Sequence, residues 1–306
     1  MSRVLITGGA GFIASHVAEA FAEAGHEIAI LDNLSSGKRE NIPANLTFFE
    51  ADITNREAVR RAIQEFQPEI IDHHAAHIQV GNSVKDPQFD AQNNIIGTLN
   101  ILEEARQIPS FQKIIMASTG GAMYGDQEVP FRESMVAQPL SPYGISKRSG
   151  ELYLHFYAVQ YQKQYVVLRY SNVYGPRQNA HGESGVVAIF MEKILKGETP
   201  VINGTGENTR DYVYVKDVAR ANLLAFQYGK NGIFNIGTNT ERSTMDVWHE
   251  VVRVMNSDIS EEHGPARPGE QIRSVLDYGL AQQELGWRPE MEFSEGLRLT
   301  AESFQA

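Results

Sequence analysis

The N-terminal segment up to Asp32 limits the fold more than any other stretch of the chain. Arg3-Val4-Leu5-Ile6-Thr7 reads as a short buried strand, and Gly8-Gly9-Ala10-Gly11-Phe12-Ile13-Ala14 then opens a helical pattern running to about Ala24. Gly8 permits a tight turn, Gly11 lets backbone approach a pyrophosphate held at the helix N-terminus, and Ala14 is small enough for close helix-strand packing. A second strand, Glu27 to Leu31, ends at Asp32, the distance on at which a carboxylate hydrogen-bonds an adenosine ribose. Its negative charge would repel a 2'-phosphate, which favours NAD over NADP. A glycine-rich turn without a ligand would not explain why strand, turn, helix and acid fall in register.

The same alternation continues along the chain. Apolar patterning predicts strands near 3-7, 27-31, 46-50, 69-72, 112-117 and 165-169, with helices near 12-24, 55-66, 92-107 and 144-162 between them. Such an order implies an α/β fold with a mostly parallel sheet and helices on both faces. Ligands in these sheets bind beyond the C-terminal strand ends, where Gly8, Asp32, Asp52, Ala75, Ser118 and Arg169 fall. Later helices near 186-196, 215-228 and 244-255, and strands near 200-202 and 233-236, are expected to form a substrate lobe. The chain thus divides into 1-170, mainly dinucleotide-binding, and 171-306, mainly substrate-binding, with some segments returning to the first domain. The polar segment Ser257 to Gly269 reads as a loop within the second lobe.

Composition narrows the function. With 306 residues the chain can bury a large core, and its net charge of -11 argues against nucleic acid as a partner. Cysteine is absent, which removes disulfides, thiolate nucleophiles and most soft-metal sites. No signal segment precedes the first strand, and no apolar run reaches the ~18 residues of a membrane span, so no membrane partner is expected and cytoplasm is the default location. His73, His74 and His77 invite a metal reading, but they run out of a strand into a loop with no Cys, Asp or Glu set to close a coordination shell; no metal is expected.

Tyr143 and Lys147 stand four apart in Ser141-Pro142-Tyr143-Gly144-Ile145-Ser146-Lys147, so on a helix they share one face. A cation beside the phenol lowers a pKa that starts near 10 and makes a group able to take a proton from a hydroxyl. The pair alone is common on helices as surface packing; it gains weight from the dinucleotide pattern upstream.

Together with these segments, Asp32-Asn33-Leu34-Ser35-Ser36-Gly37, Asp52, Ala75-Ala76, Asn93-Asn94, Ser118-Thr119-Gly120-Gly121-Ala122-Met123-Tyr124-Gly125, Arg169-Tyr170-Ser171-Asn172-Val173-Tyr174-Gly175-Pro176-Arg177 and Thr209-Arg210-Asp211-Tyr212-Val213 cover essentially the whole chain. In them the sequence resembles the extended short-chain dehydrogenase/reductases, most closely NAD-dependent nucleotide-sugar epimerases of the UDP-glucose 4-epimerase type. The resemblance implies a Rossmann-like parallel sheet with a smaller C-terminal substrate lobe. It also implies a reaction in which tightly held NAD oxidises C4 of a UDP-hexose and returns the hydride to the opposite face. Cofactor contacts carry over to Gly8, Gly11, Phe12, Ile13, Asp32, Asn33, Ser36, Gly37, Asp52, Ile53, Ala75, Ala76, Lys85, Asn94 and Tyr170, besides Tyr143 and Lys147. Asp52 could equally be a helix cap.

Tyr143 would be the acid-base, and Lys147 would lower its pKa and bind the nicotinamide ribose. Many relatives place a serine or threonine where this chain has Gly120, so the third catalytic group is Thr119, with Ser118 as the alternative; either hydroxyl could instead only satisfy backbone groups. The family's 4,6-dehydratases carry an acid pair after that threonine and its decarboxylases a glutamate in the turn, whereas glycines follow here. Arg210 and Arg267 match arginines that grip the substrate pyrophosphate, with Asn172 near the first phosphate or the sugar, and each arginine has a bland reading as a surface ion-pair residue. Counting on from Arg267-Pro268-Gly269-Glu270 reaches Ser274 at the place that guards the sugar's C2 side. A small residue there leaves room for an N-acetyl group, and a shifted count would move the place to Arg273 or Val275. The aromatic helix from Gly144 to Gln162, with Tyr153, Phe156, Tyr157 and Tyr161, is expected to pair with the 92-107 helix across a homodimer interface. A non-catalytic relative that binds NAD as a redox sensor is the alternative class.

Overall fold

The structure, a computed structural model, describes residues 1-180, 185-266 and 271-305. The first half alternates strands and helices: β1 (Arg3–Thr7), α1 (Phe12–Glu23), β2 (Glu27–Asp32), β3 (Thr47–Glu50), α2 (Arg56–Phe66), β4 (Ile70–His73), α3 (Val80–Lys85), α4 (Pro87–Ala91), α5 (Gly97–Ala105), β5 (Lys113–Thr119), α6 (Pro142–Tyr161) and β6 (Gln164–Tyr170). Every residue of β1 but Arg3 is buried, as parallel strands covered on both faces require. α2 starts where the Asn55 side chain accepts from Ala58 N at 3.2 Å, buries Val59, Ala62, Ile63 and Phe66 at helical spacing, and stops at Gln67 in the left-handed region. α6 starts on the same principle: Ser141 Oγ accepts from Gly144 N at 3.2 Å and Pro142 occupies the first turn. A cap of this kind contributes ~1 kcal/mol. The expected 92-107 helix is α5 preceded by one π-helical turn, Gln92–Ile96.

The second half runs β7 (Asn172–Tyr174), α7 (Val186–Leu195), β8 (Val201–Asn203), β9 (Thr209–Arg210), β10 (Tyr212–Tyr214), α8 (Val215–Gln227), β11 (Gly232–Ile236), β12 (Arg242–Ser243), α9 (Thr244–Met255), β13 (Glu262–Gly264), β14 (Arg273–Ser274), α10 (Gly279–Leu285) and α11 (Phe293–Gln305). The main sheet is all parallel with order β11-β6-β5-β4-β1-β2-β3. Two expectations change here. The helix at 215-228 and the strand at 233-236 are not substrate-lobe elements: α8 packs on α1, and β11 adds to the sheet beside β6. Physically, β6 has a free edge to pair and α1 an apolar face to cover, and the α8 residues Val218, Ala219, Ala221 and Ala225 close that layer. The segment 257-269 is also not all loop, since β13 pairs with β8.

The sheet is sandwiched between two apolar layers, one under α1 and α8 and one under α2, α5 and α6. A third core around Tyr174, Phe190, Trp248 and Phe293 holds the second lobe. Strand order reverses at β1, which has β4 on one side and β2 on the other, and this reversal opens the crevice in which such sheets bind ligands.

Candidate functional site

A cavity of about 730 Å³ runs across the C-terminal strand ends. Gly8, Gly11, Phe12, Ile13, Asp32, Asn33, Ser36, Asp52, Ile53, Ala75, Ala76, Ser118, Tyr143, Lys147 and Tyr170 all line it, although they come from segments up to Tyr170 apart in sequence. Its volume is in the range of ligand clefts.

At one end the β1-α1 turn is drawn against the next strand's exit. Gly8 has φ +73, and a Cβ there would lie 2.7 Å from Ala75 N, so both conformation and space demand glycine. Asp32 is 7% exposed and held by two backbone donors, Ala10 N at 3.0 Å to Oδ2 and Leu34 N at 2.7 Å to Oδ1. Burial pushes its carboxyl above the usual range and those two hydrogen bonds pull it back. Gly37 lies over the turn: a Cβ would fall 2.7 Å from Ala10 C, and Lys38 N donates to Ala10 O at 3.0 Å. Asp52 accepts from Asn33 Nδ2 at 2.7 Å and from Thr54 N at 2.7 Å, so it stands on the cavity wall and closes a local turn at once.

At the other end α6 sets Tyr143 and Lys147 beside the exit of β5. Lys147 Nζ donates to Ala117 O at 3.0 Å, and burial pulls its pKa down to about 8, against which Asp90 and then Glu151 favour the ammonium. Burial pushes the Tyr143 phenol well above its usual value, Asp90 adds to the rise, and a side-chain hydrogen bond with Thr119 lowers it. Thr119 is thus the side chain that favours the phenolate here, while the Lys147 Nζ rests on the Ala117 carbonyl. Thr119 Oγ1 also accepts from Ala122 N at 3.2 Å.

Ser118, the alternative hydroxyl, is committed elsewhere. Its Oγ donates to Glu151 Oε1 at 2.8 Å, and Glu151 is gripped by Arg169 through Nε at 2.9 Å and Nη2 at 2.6 Å. The ion pair is 0% and 3% exposed in its side chains, and removing one partner from such a pair costs about 3-5 kcal/mol. Ser118 therefore serves the frame that fixes α6 to β5 and β6.

Not every residue singled out above meets the cavity. Lys85 is exposed at the end of α3, and Asn94, 2% exposed, spends its amide on His77 O, Asp90 and Ser146 behind the wall. Asn172 is exposed at the head of β7. Arg210 of β9 is paired in register with Ser274 of β14, and its Nη1 donates to Thr209 O at 2.8 Å. Ser274 is buried, its Oγ 3.7 Å from where a Cβ on Gly121 would be, so the second lobe meets the Thr119 turn there. Arg267 lies outside the described residues. The three histidines part company: His73 faces Thr7 and Thr98, His74 contacts Asp72 and Tyr170, and His77 faces Asp90.

Sequence reasoning missed that His74, His77, Gln79 and Phe89 line the cavity, and that the charge of the buried Asp90 acts on Tyr143. A cluster of histidines just beyond a strand end was the available signal. Among the described residues no group of His, Cys, Asp or Glu is placed to hold a metal, and no helix is long and apolar enough to cross a membrane.

Comparison with known proteins agrees with this geometry. The family model described as NAD dependent epimerase/dehydratase family matches residues 4-237. The chain is 46% identical to a UDP-glucose 4-epimerase from Thermotoga maritima solved with UDP-glucose, with TM-score 0.96 over 99% of this chain and 98% of that one. It is 45% identical to the Thermus thermophilus UDP-glucose 4-epimerase complexed with NAD, with TM-score 0.94 over 99% of each. It is 34% identical to a UDP-N-acetylglucosamine 4-epimerase from Methanobrevibacter ruminantium, with TM-score 0.93 over 99% and 98%. The turn that demands Gly8, the anchored Asp32 and the Tyr143-Lys147 face fit the cofactor of that family, and the chain belongs to the NAD dependent epimerase/dehydratase family.

Proposed function

We propose that the protein is a 4-epimerase of UDP-hexoses, acting on UDP-glucose and UDP-galactose and admitting N-acetylated forms. The observation that carries this reading is the hydrogen-bonded Thr119-Tyr143 pair beside Lys147, with Gly120 and Gly121 rather than carboxylates completing the turn. Proton transfer to and from a hydroxyl is what these groups can do; elimination of water would need a further acid.

NAD+, when bound, supplies the hydride acceptor for C4 and later the donor that reduces the ketone. Tyr143 takes the proton of the 4-hydroxyl and afterwards gives it back, so one residue serves both directions. Thr119 shares a hydrogen bond with that phenol and orients it, and Lys147 places a positive charge at the same face of α6. Inversion requires the 4-keto sugar to turn over between the two hydride transfers. The second lobe must therefore grip the nucleotide firmly and the sugar loosely, and Arg210, Arg267 and Asn172 are the residues proposed for that grip. Ser274 leaves space on the sugar's C2 side, and the likeness to a relative named for an N-acetylated sugar supports the same reading.

Purified protein incubated with UDP-galactose should yield UDP-glucose without added NAD. Recovery of UDP-galactose alone, with NAD released on denaturation, would favour the redox-sensor class. UDP-N-acetylgalactosamine should also be turned over, and Ser274→Tyr should lower kcat/KM mainly for that substrate. Failure of the wild type on the acetylated sugar refutes the open pocket.

We propose further that two copies associate through α6. Its Leu154 and Tyr157 turn inward, whereas Leu152, Phe156 and Val159 remain about half exposed, a stripe wider than one subunit consumes. Sedimentation of a monomer at micromolar concentration would end that proposal.

A further inference from the structure

Asp90 of α4 is 1% exposed and has no role in the chemistry above. Its Oδ1 accepts from Asn94 Nδ2 at 3.0 Å and lies 3.5 Å from His77 Nδ1, while Oδ2 is buried with no hydrogen-bond partner. Leaving a carboxylate oxygen so placed is costly unless its charge is used. α4 packs directly on α6, and the same Asn94 amide reaches Ser146 Oγ at 3.2 Å, one residue from Lys147. The carboxylate is thereby fixed against the helix that carries the reacting pair. The carboxylate faces His77, from the segment after β4; α6, on which α4 packs, carries Tyr143 and Lys147, both of which feel the Asp90 charge, and α3 and the π turn bring the Ser83 hydroxyl and the Asn94 amide to this corner.

We propose that Asp90 is a positioning residue for proton transfer: its buried carboxylate, tied through the Asn94 amide to Ser146 of α6, is the counter-charge of the Lys147 ammonium at the reacting pair. The inference rests on the epimerase reading for its consequence, not for its observation. A negative charge at this point acts on both members of the pair in the same direction, favouring the protonated lysine and the protonated tyrosine. Burial works against the lysine and with the tyrosine, so without Asp90 the two would drift toward a neutral amine and an easier phenolate. His77 closes the far side of the carboxylate: its ring packs edge-on against Phe89 at 5.2 Å, and its backbone N donates to Asn94 Oδ1 at 2.8 Å.

Asp90→Asn keeps shape and can still accept from Asn94. In the holoenzyme the Tyr143 phenolate absorbance, obtained by subtracting the same protein carrying Tyr143→Phe, should move to lower pH by about one unit, within the range a nearby charge produces. Loss of the Lys147 proton, whose pKa burial pulls down to about 8, should set an alkaline limb of kcat for UDP-galactose, and that limb should move down by about the same amount. Both shifts in one direction are something a merely structural residue would not produce. Asp90→Ala, which leaves Asn94 bonded to His77 O and Ser146, should give the same shifts if Asp90→Asn proves poorly folded. A tyrosine midpoint unchanged in the folded variants overturns the proposal. If wild type turns over no UDP-hexose yet the tyrosine midpoint still shifts, the epimerase reading fails and the role of Asp90 stands.

Discussion

The two ends of the cavity are built on different physics. At the Asp32 end most contacts are short in sequence or made by backbone: a glycine turn, two amide donors on one carboxylate, and a loop folded over Ala10. At the Tyr143 end the groups come from β5, α4, α6 and the segment after β4, and they act on one another through buried charge. The first end can be altered one hydrogen bond at a time, whereas the second should respond as a unit. Binding and chemistry are accordingly separable by mutation.

The largest test of that contrast is Tyr143→Phe. It should lower kcat by about two to four orders of magnitude with nucleotide-sugar affinity nearly intact, because only the proton-transfer group is lost. Turnover like wild type would eliminate Tyr143 as the acid-base.

Next come the adjacent hydroxyls. Thr119→Ala should reduce kcat roughly tenfold to a thousandfold with little change in thermal midpoint, through one lost hydrogen bond at the phenol. Ser118→Ala should do the reverse, taking about 1-3 kcal/mol from stability because the buried Glu151 loses a donor, while kcat changes little. If Ser118→Ala is the variant that loses turnover, the two roles are exchanged.

The smallest effect on saturated turnover belongs to the other end. Asp32→Ala removes a charge-assisted hydrogen bond and should weaken NAD by about 1.5-3 kcal/mol, seen as cofactor lost on gel filtration, while kcat recovers when NAD is added in excess. A fall in kcat that excess NAD does not restore would mean the two ends are not separable.

The same division explains what the sequence could tell. The Asp32 end is legible because strand, turn, helix and acid are consecutive, and periodicity places each within a residue or two of its element. The choice of Thr119 over Ser118 was open in the sequence, since both follow the same strand; it takes the alternation of faces along β5 to send one toward Tyr143 and the other toward Glu151. Asp90 was invisible, because nothing in Pro87–Ala91 distinguishes a carboxylate turned inward from one on the surface. The register of β9 with β14, which sets Arg210 beside Ser274, joins segments too far apart and too short for patterning to pair. Lys85 and Asn94 show the converse, as positions named by resemblance that do not line the cavity: Lys85 is exposed at the end of α3, and the Asn94 amide is spent on His77 O, Asp90 and Ser146.

The return of β11 and α8 to the main sheet also decides what can be cut. A fragment ending at Tyr170 would leave the outer row of amides on β6 bare and strip α1 of the cover that Val218, Ala221 and Ala225 give it. Such a fragment invites edge-to-edge aggregation, and a chimaera grafting a foreign second half at that point would have to supply the strand and helix as well as the sugar pocket. The covalent order of the chain thus makes nucleotide capture and sugar selection one heritable piece.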